Sequence, residues 1–155
     1  MHTSSGLFLS QLKYVTDLLR KFQFHMLKFV YASCVSRTTI SLTDGELLSN
    51  PSDYRCMVGV LHYLIMTRPN ITCVVQVASQ FMHPLRTTHM NVVKRIFKFL
   101  QAIADHGLFF KPNSRLDLMV ALCYFDWVRC PNSNHSNTKL AIFLSSNLIS
   151  WGSKK

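Results

Sequence analysis

The carboxylates are the side chains that most restrict the chemistry available to this chain. Its 155 residues include 7 Asp and Glu against 17 Lys and Arg, which gives a formal net charge of +10. Glu46 is the single glutamate, and no two acidic residues are adjacent. Phosphodiester hydrolysis by two divalent ions needs several converging carboxylates, because ions such as Mg²⁺ prefer oxygen ligands. The scattered acids therefore argue against such a centre.

Histidine and cysteine offer softer ligands, but their spacing does not form a metal motif. His83 and His89 stand six residues apart across a proline, and Cys123 and Cys130 stand seven apart without any C-x-x-C. Structural zinc sites usually pair ligands at closer spacing, so we expect no metal. We interpret the 5 cysteines as small buried apolar residues in a reducing, intracellular compartment. A cysteine nucleophile with a histidine partner stays open, since sequence gives no geometry for it.

Four basic residues form the candidate binding site: Arg86, Lys94, Arg95 and Lys98. On a helix the last three fall within an arc of about 100°, largely opposite an apolar stripe. Such a face can neutralise phosphates without reading base sequence. The candidate partner is therefore an RNA–DNA or DNA duplex, bound weakly and nonspecifically through residues 86–98. A solvated basic face without a ligand explains the same pattern, and the sequence alone favours it.

Apolar residues at helical spacing predict the elements that position these side chains. The predicted helices cover residues 10–24, 53–66, 70–82 and 87–104. Ser52 or Asp53 is the expected N-cap of the second helix and Asn70 that of the third. Gly107 suits the position just past the end of the fourth.

The hydrophobic period changes after the fourth helix. The predicted strands cover residues 108–111, 116–124, 139–144 and 148–151, with a hairpin turn at 145–147. Segments 34–51 and 130–138 have the composition of loops. This order predicts an α+β fold, in which an N-terminal helical region precedes a partial antiparallel sheet.

The overall composition indicates a packed protein without a bilayer span. Hydrophobic residues make up 48% of the chain and charged residues 15%. The longest apolar run, residues 58–66, is far shorter than the roughly 20 residues that cross a bilayer. Residues 1–40 are basic and acid-poor, as in organelle-targeting peptides, although an ordinary basic surface helix has the same composition.

Several short blocks occur in a distinctive order along the chain. They cover residues 6–11, 54–64, 67–71, 79–82, 93–96, 105–110 and 147–151. Together they resemble the polyprotein of copia-type LTR retrotransposons, from the end of the reverse transcriptase into the start of the ribonuclease H domain. The block at 67–71, for example, reads T-R-P-N-I and is similar to the family's T-R-P-D-I.

The departures from this family concern its catalytic residues. The polymerase motif Y-x-D-D does not occur in the chain. Residues 123–130 read C-Y-F-D-W-V-R-C where the family's first ribonuclease H strand reads S-D-A-D-W-x-G-C. Tyr124 thus occupies the position of the metal-binding aspartate, and a phenol with a pKa near 10 does not replace a carboxylate at neutral pH. The resemblance implies Mg²⁺ as the family's cofactor, but its ligands are missing here. We assign neither a catalytic residue nor a cofactor, and Asp126 is interpreted as a strand-end residue.

The resemblance also implies a division of the chain into three segments. Residues 1–51 correspond to a reverse transcriptase tail and linker, 52–107 to a helical connection region, and 108–155 to truncated ribonuclease H-like strands. We expect 52–107 to form the stable helical part and the C-terminal strands to be marginal.

The predicted function is that of a degenerate, non-catalytic remnant of this transposable element, a pseudogene product. The first alternative is a nonspecific nucleic-acid-binding module that uses residues 86–98. The second is a polymerase or nuclease subunit completed by another chain, which would have to bypass Tyr124. No membrane and no small-molecule substrate is expected. Localisation stays unknown, with the mitochondrion open because copia-like pieces occur in plant mitochondrial genomes.

Overall fold

The computed structural model describes residues 2–3, 5–33, 45–112, 119–126 and 137–154. Within these ranges the helices are α1 Leu12–Lys21, α2 Pro51–Leu64, α3 Thr72–Ser79 and α4 Thr87–Ala102, with a short 3₁₀ helix at Pro69–Ile71. The strands are β1 His2–Thr3, β2 Gly6–Leu9, β3 Leu108–Phe110, β4 Met119–Asp126, β5 Asn137–Leu144 and β6 Asn147–Lys154. Helices and antiparallel sheets coexist, so the α+β prediction is confirmed. The ribonuclease H-like character of the C-terminal sheet stays a prediction.

The helix boundaries agree with the apolar spacing, but two of the predicted caps are wrong. Asn50 caps α2, because its side chain accepts a hydrogen bond from the Ser52 amide at 3.1 Å. Pro51 then occupies the first helical position, where its missing N–H costs nothing. Asn70 lies inside the 3₁₀ helix, and α3 starts at Thr72 without a side-chain cap.

The first sheet joins the N-terminus to the segment after α4, a pairing that the sequence did not predict. Its strand order is β1-β2-β3, and Leu7 lies opposite Phe110. The expectation for Gly107 is wrong, because α4 already ends at Ala102. A Cβ atom at Gly107 would instead collide with the carbonyl oxygen of Leu9. Glycine at this position therefore allows the backbones around β2 and β3 to approach each other closely.

The described helices share one hydrophobic core. Its members come from α1 and the turn after it, as well as from α2, α3 and α4. The Phe97 ring stacks on Phe24 at 5.1 Å between centroids and meets Phe22 edge-on at 5.3 Å. The Tyr54 hydroxyl donates to the carbonyl oxygen of Ala78 at 2.7 Å and connects α2 to the end of α3. The two Phe97 contacts join residues from the two sides of position 51. The three-segment division of the chain stays a prediction.

The second sheet has the strand order β4-β5-β6 and lies against the helices through β6. The predicted hairpin turn is confirmed, since residues 145 and 146 connect β5 to β6. The Trp151 indole N–H donates to the carbonyl oxygen of Ile65 at 2.9 Å, just past α2. At the sheet edge, Met119 and Leu122 of β4 are exposed. Most of the loops predicted at 34–51 and 130–138 lies outside the described residues.

Candidate nucleic-acid interface

The basic residues of α4 lie on the side of the helix that faces away from the core. The buried stripe of α4 consists of His89, Val93, Ile96, Phe97 and Leu100. Lys94 is exposed, and Arg95 and Lys98 are half-buried. At about 100° per residue, these three positions centre on the direction opposite the stripe, as their spacing predicted. We name Lys94, Arg95 and Lys98 the α4 basic face.

The three residues of this face are not equivalent. The Arg95 Nε atom is buried and has no hydrogen-bond partner among the described residues. Part of its guanidinium group therefore lies against the protein, whereas long lysine side chains keep their charge in solvent. Lys94 and Lys98 are consequently the charges best placed to meet a phosphate.

Arg86 makes its contacts away from the α4 basic face. It precedes α4, and its Nη1 atom donates to the carbonyl oxygen of Gly45 at 2.7 Å. Its backbone forms an isolated antiparallel bridge with Leu47. With the usual rise of about 1.5 Å per residue, the backbone of Arg86 lies about 12 Å along the helix axis from that of Lys94. The structure thus does not bring Arg86 together with the α4 basic face. Its guanidinium group instead bonds to the backbone of Gly45.

The region around this face is poor in acidic residues. The chain has no Asp or Glu in residues 18–43 or in residues 54–104. The first stretch includes the end of α1 and the turn that packs on Phe97, and the second includes all of α4. Charges of one sign add to a positive field, and such a field attracts polyanions.

Arg68, from the block at 67–71, has a structural role that sequence reasoning missed. Its side chain is 2% exposed, and its guanidinium group donates to the carbonyl oxygens of Ile103 and Ala104, the latter at 2.8 Å. Burial lowers the pKa of Arg68, and the nearby Asp105 carboxylate opposes part of this shift. A cation at the end of α4 also suits the negative end of the helix dipole. Arg68 thereby holds the end of the helix that carries the basic face.

The positions implied for nuclease chemistry lie on β4. In its pairing with β5, Tyr124 stands opposite Lys139, and Asp126 stands opposite Asn137. The acidic residues of the other described segments are Asp17, Glu46, Asp53 and Asp105, which lie in α1, before α2, in α2 and after α4. Within the described residues no three His, Cys, Asp or Glu side chains are grouped closely enough to hold a metal ion.

The histidines and cysteines singled out in the sequence lie in unrelated surroundings. His89 is buried, accepts a hydrogen bond from the Arg86 amide at 3.2 Å and stacks on Phe81 at 4.4 Å. His83 is exposed and contacts Arg55.

The expectation that the cysteines are buried is wrong for two of them. Cys56 and Cys123 are exposed free thiols, and Cys73 is intermediate. Cys56 lies on the outer side of α2, and Cys123 lies in the edge strand β4. The remaining cysteines, Cys34 and Cys130, lie outside the described residues.

A serine and a histidine meet on neighbouring helices, a contact that no sequence signal indicated. The His62 Nε2 atom lies 2.6 Å from the Ser79 Oγ atom. The Ser79 hydroxyl donates its proton to the carbonyl oxygen of Val75 at 2.7 Å. The serine therefore accepts from the imidazole, whereas an activated nucleophile must donate to its base. This pair links α2 to α3.

Comparison with known proteins finds relatives over nearly the whole chain. An uncharacterized mitochondrial protein of Arabidopsis thaliana is 34% identical over 151 residues, which cover 97% of this chain and 62% of that protein. The retrovirus-related Pol polyproteins from transposons RE1 and RE2 of the same plant are 36% and 35% identical, again over 97% of this chain but 10% of each polyprotein. The chain thus spans less than two thirds of each of these relatives. No protein-family model and no solved structure matches it.

Of the helices in the described residues, none has both the length and the apolar character that a membrane crossing requires.

Proposed function

Since the chain belongs to the family of retrovirus-related transposon Pol polyproteins, we propose that it is a non-catalytic remnant of a copia-type polyprotein. Its residues correspond to the end of the reverse transcriptase and the start of the ribonuclease H domain in that family. The observation that carries the proposal is Tyr124, which the resemblance aligns with the family's metal-binding aspartate. The separate locations of the described carboxylates in the fold support it, because two-metal hydrolysis needs several of them in one place.

The purified chain is therefore expected to be inactive with Mg²⁺ or Mn²⁺. It should neither extend a primer on a template nor cut the RNA strand of an RNA–DNA hybrid. A gel assay with labelled strands measures both activities, with a known ribonuclease H and a known polymerase as positive controls. Metal-dependent cleavage that disappears in the Asp126→Ala variant would contradict the proposal. Cleavage that appears only with a second chain present would favour the subunit alternative.

A second candidate function is nonspecific binding of a nucleic-acid duplex through the α4 basic face. The specific observation that favours it is the position of Lys94 and Lys98 opposite the buried stripe, within residues 54–104, a stretch that lacks acidic residues. Arg95 belongs to the same face with a partly buried side chain. A row of cations without neighbouring carboxylates can replace the counterions along a phosphate backbone.

Neutralising this face is expected to reduce the salt dependence of duplex binding. In the variant Lys94→Gln, Arg95→Gln, Lys98→Gln, the slope of log K against log salt should flatten by about 2 to 3, since each lost phosphate contact removes about 0.9. The lower end applies if the partly buried Arg95 makes no phosphate contact. Fluorescence anisotropy between about 50 and 200 mM salt measures the slope.

A control with the same loss of charge separates this face from the general positive charge. The variant Lys13→Gln, Lys111→Gln, Lys154→Gln removes three charges from α1, from the residue after β3 and from the end of β6. We expect it to change the slope by less than half as much. Equal slopes in the two triple variants would contradict binding through α4.

A further inference from the structure

The segment that follows α1 carries exposed aromatic side chains beside the α4 basic face. Tyr31 is 84% exposed and Phe29 is 43% exposed. Their rings meet edge to face, with 5.3 Å between centroids and 89° between planes. Exposed aromatic pairs are unusual away from binding surfaces, because each ring forgoes the free energy of burial.

Contacts with α4 fix the position of this segment. The Val30 amide donates to the carbonyl oxygen of Lys98 at 3.3 Å, and the Gln101 side chain donates to the carbonyl oxygen of His25 at 3.2 Å. Val30 itself is half-buried, while its neighbours Phe29 and Tyr31 are exposed. The two rings therefore flank the residue whose backbone is bonded to Lys98.

The positive charge around the two rings indicates which class of ligand fits this surface. Lys28 is exposed in the same segment, and the α4 basic face supplies Lys94 and Lys98. Neither residues 18–43 nor residues 54–104 include an acidic side chain. Cations beside exposed rings match a polyanion with flat apolar groups, which is the chemistry of unpaired nucleic acid. In proteins that bind single strands, aromatic side chains stack on bases and a positive groove follows the backbone.

We propose that Phe29 and Tyr31 form a stacking platform for the unpaired bases of single-stranded nucleic acid, with its phosphates on Lys28, Lys94 and Lys98. The proposal rests on the nucleic-acid-binding candidate function and extends its ligand class from duplex to single strand. Duplex bases are already stacked on one another, so they gain little from these rings. The platform should therefore add affinity for single strands only.

The test uses the full chain with two labelled probes, an oligothymidine of about 12 nucleotides and a blunt duplex of the same length. Tyr31→Ala is expected to weaken binding of the oligothymidine by about 5- to 150-fold, the range for one stacked base. The dissociation constant for the duplex should change by less than about twofold. Tyr31→Phe, which keeps the ring, should bind both probes like the unmodified chain. Because Tyr31 is largely exposed, its truncation should leave the fold intact.

Met26→Ala is the matched control, because Met26 is 83% exposed in the same segment but has no ring. An unchanged affinity in this variant supports stacking, whereas an equal loss would overturn it in favour of general apolar adhesion. Unchanged oligothymidine binding in Tyr31→Ala, with duplex binding still sensitive to the α4 triple variant, would overturn the platform and leave the nucleic-acid-binding candidate standing. If the chain binds neither probe, both the platform and the nucleic-acid-binding candidate function are overturned. Binding that is confined to phosphatidylglycerol vesicles and lost in Tyr31→Ala would overturn the platform in favour of a lipid surface.

Discussion

Replacing Arg68 with alanine is expected to lower the free energy of unfolding by about 2 to 5 kcal/mol. The guanidinium group is buried and donates to the carbonyl oxygens of Ile103 and Ala104, which follow α4. Removing the donor leaves the carbonyl oxygens of the buried Ile103 and the half-buried Ala104 without this partner, and each buried group left unpaired costs about 1 to 3 kcal/mol. Total stabilities are roughly 5 to 15 kcal/mol, so the loss is large. Urea unfolding followed by far-ultraviolet circular dichroism measures it.

Two further variants separate the geometry of Arg68 from its charge. Arg68→Lys keeps the charge but presents one point donor instead of a planar fork, so we expect it to recover less than half of the lost stability. Arg20→Ala removes an exposed arginine near the end of α1 and should change stability by less than about 0.5 kcal/mol. Equal unfolding midpoints for Arg68→Ala and Arg20→Ala would show that the buried contacts are unimportant.

A fragment of residues 52–107 is expected to be largely unfolded, in contrast to the expectation from the sequence that these residues form the stable helical part. The Phe97 ring of α4 packs against Phe22 and Phe24, and the same core includes Val15 and Leu18 of α1. Burying a large apolar side chain contributes about 1.5 to 3 kcal/mol, so losing several at once removes most of a typical total stability. The three remaining helices also expose the apolar surface that α1 covers.

A longer fragment is the control for this prediction. Residues 5–112 retain α1 with its core contacts and the pairing of β2 with β3. We expect this fragment to be helical and to unfold in one transition on heating. Circular dichroism compares the two fragments at equal concentration. Cooperative unfolding of the fragment 52–107 would mean that α1 is not needed for folding, although its residues belong to the shared core.

Local periodicity in the sequence was sufficient to identify the helices and the C-terminal hairpin. The spacing of Val93, Ile96 and Phe97 determines which side of α4 is buried, and it therefore places Lys94 and Lys98 on the other side. Such inferences succeed because a helix converts sequence spacing directly into direction around its axis. Boundaries shifted where turn chemistry intervened, as at Pro51 and Pro69.

Only the tertiary structure decided which segments meet. The pairing of Leu7 with Phe110, the contact of Arg68 with Ile103 and the bond from Val30 to Lys98 each join residues far apart in the chain. Short strands and irregular segments have no period that identifies a distant partner, and a buried arginine looks like an exposed one in sequence. The basic character of α4 was therefore determined by the sequence. Its exposed aromatic neighbours were determined by long-range packing, because the turn after α1 inserts Phe24 against Phe97 and so lays residues 25–31 along the helix.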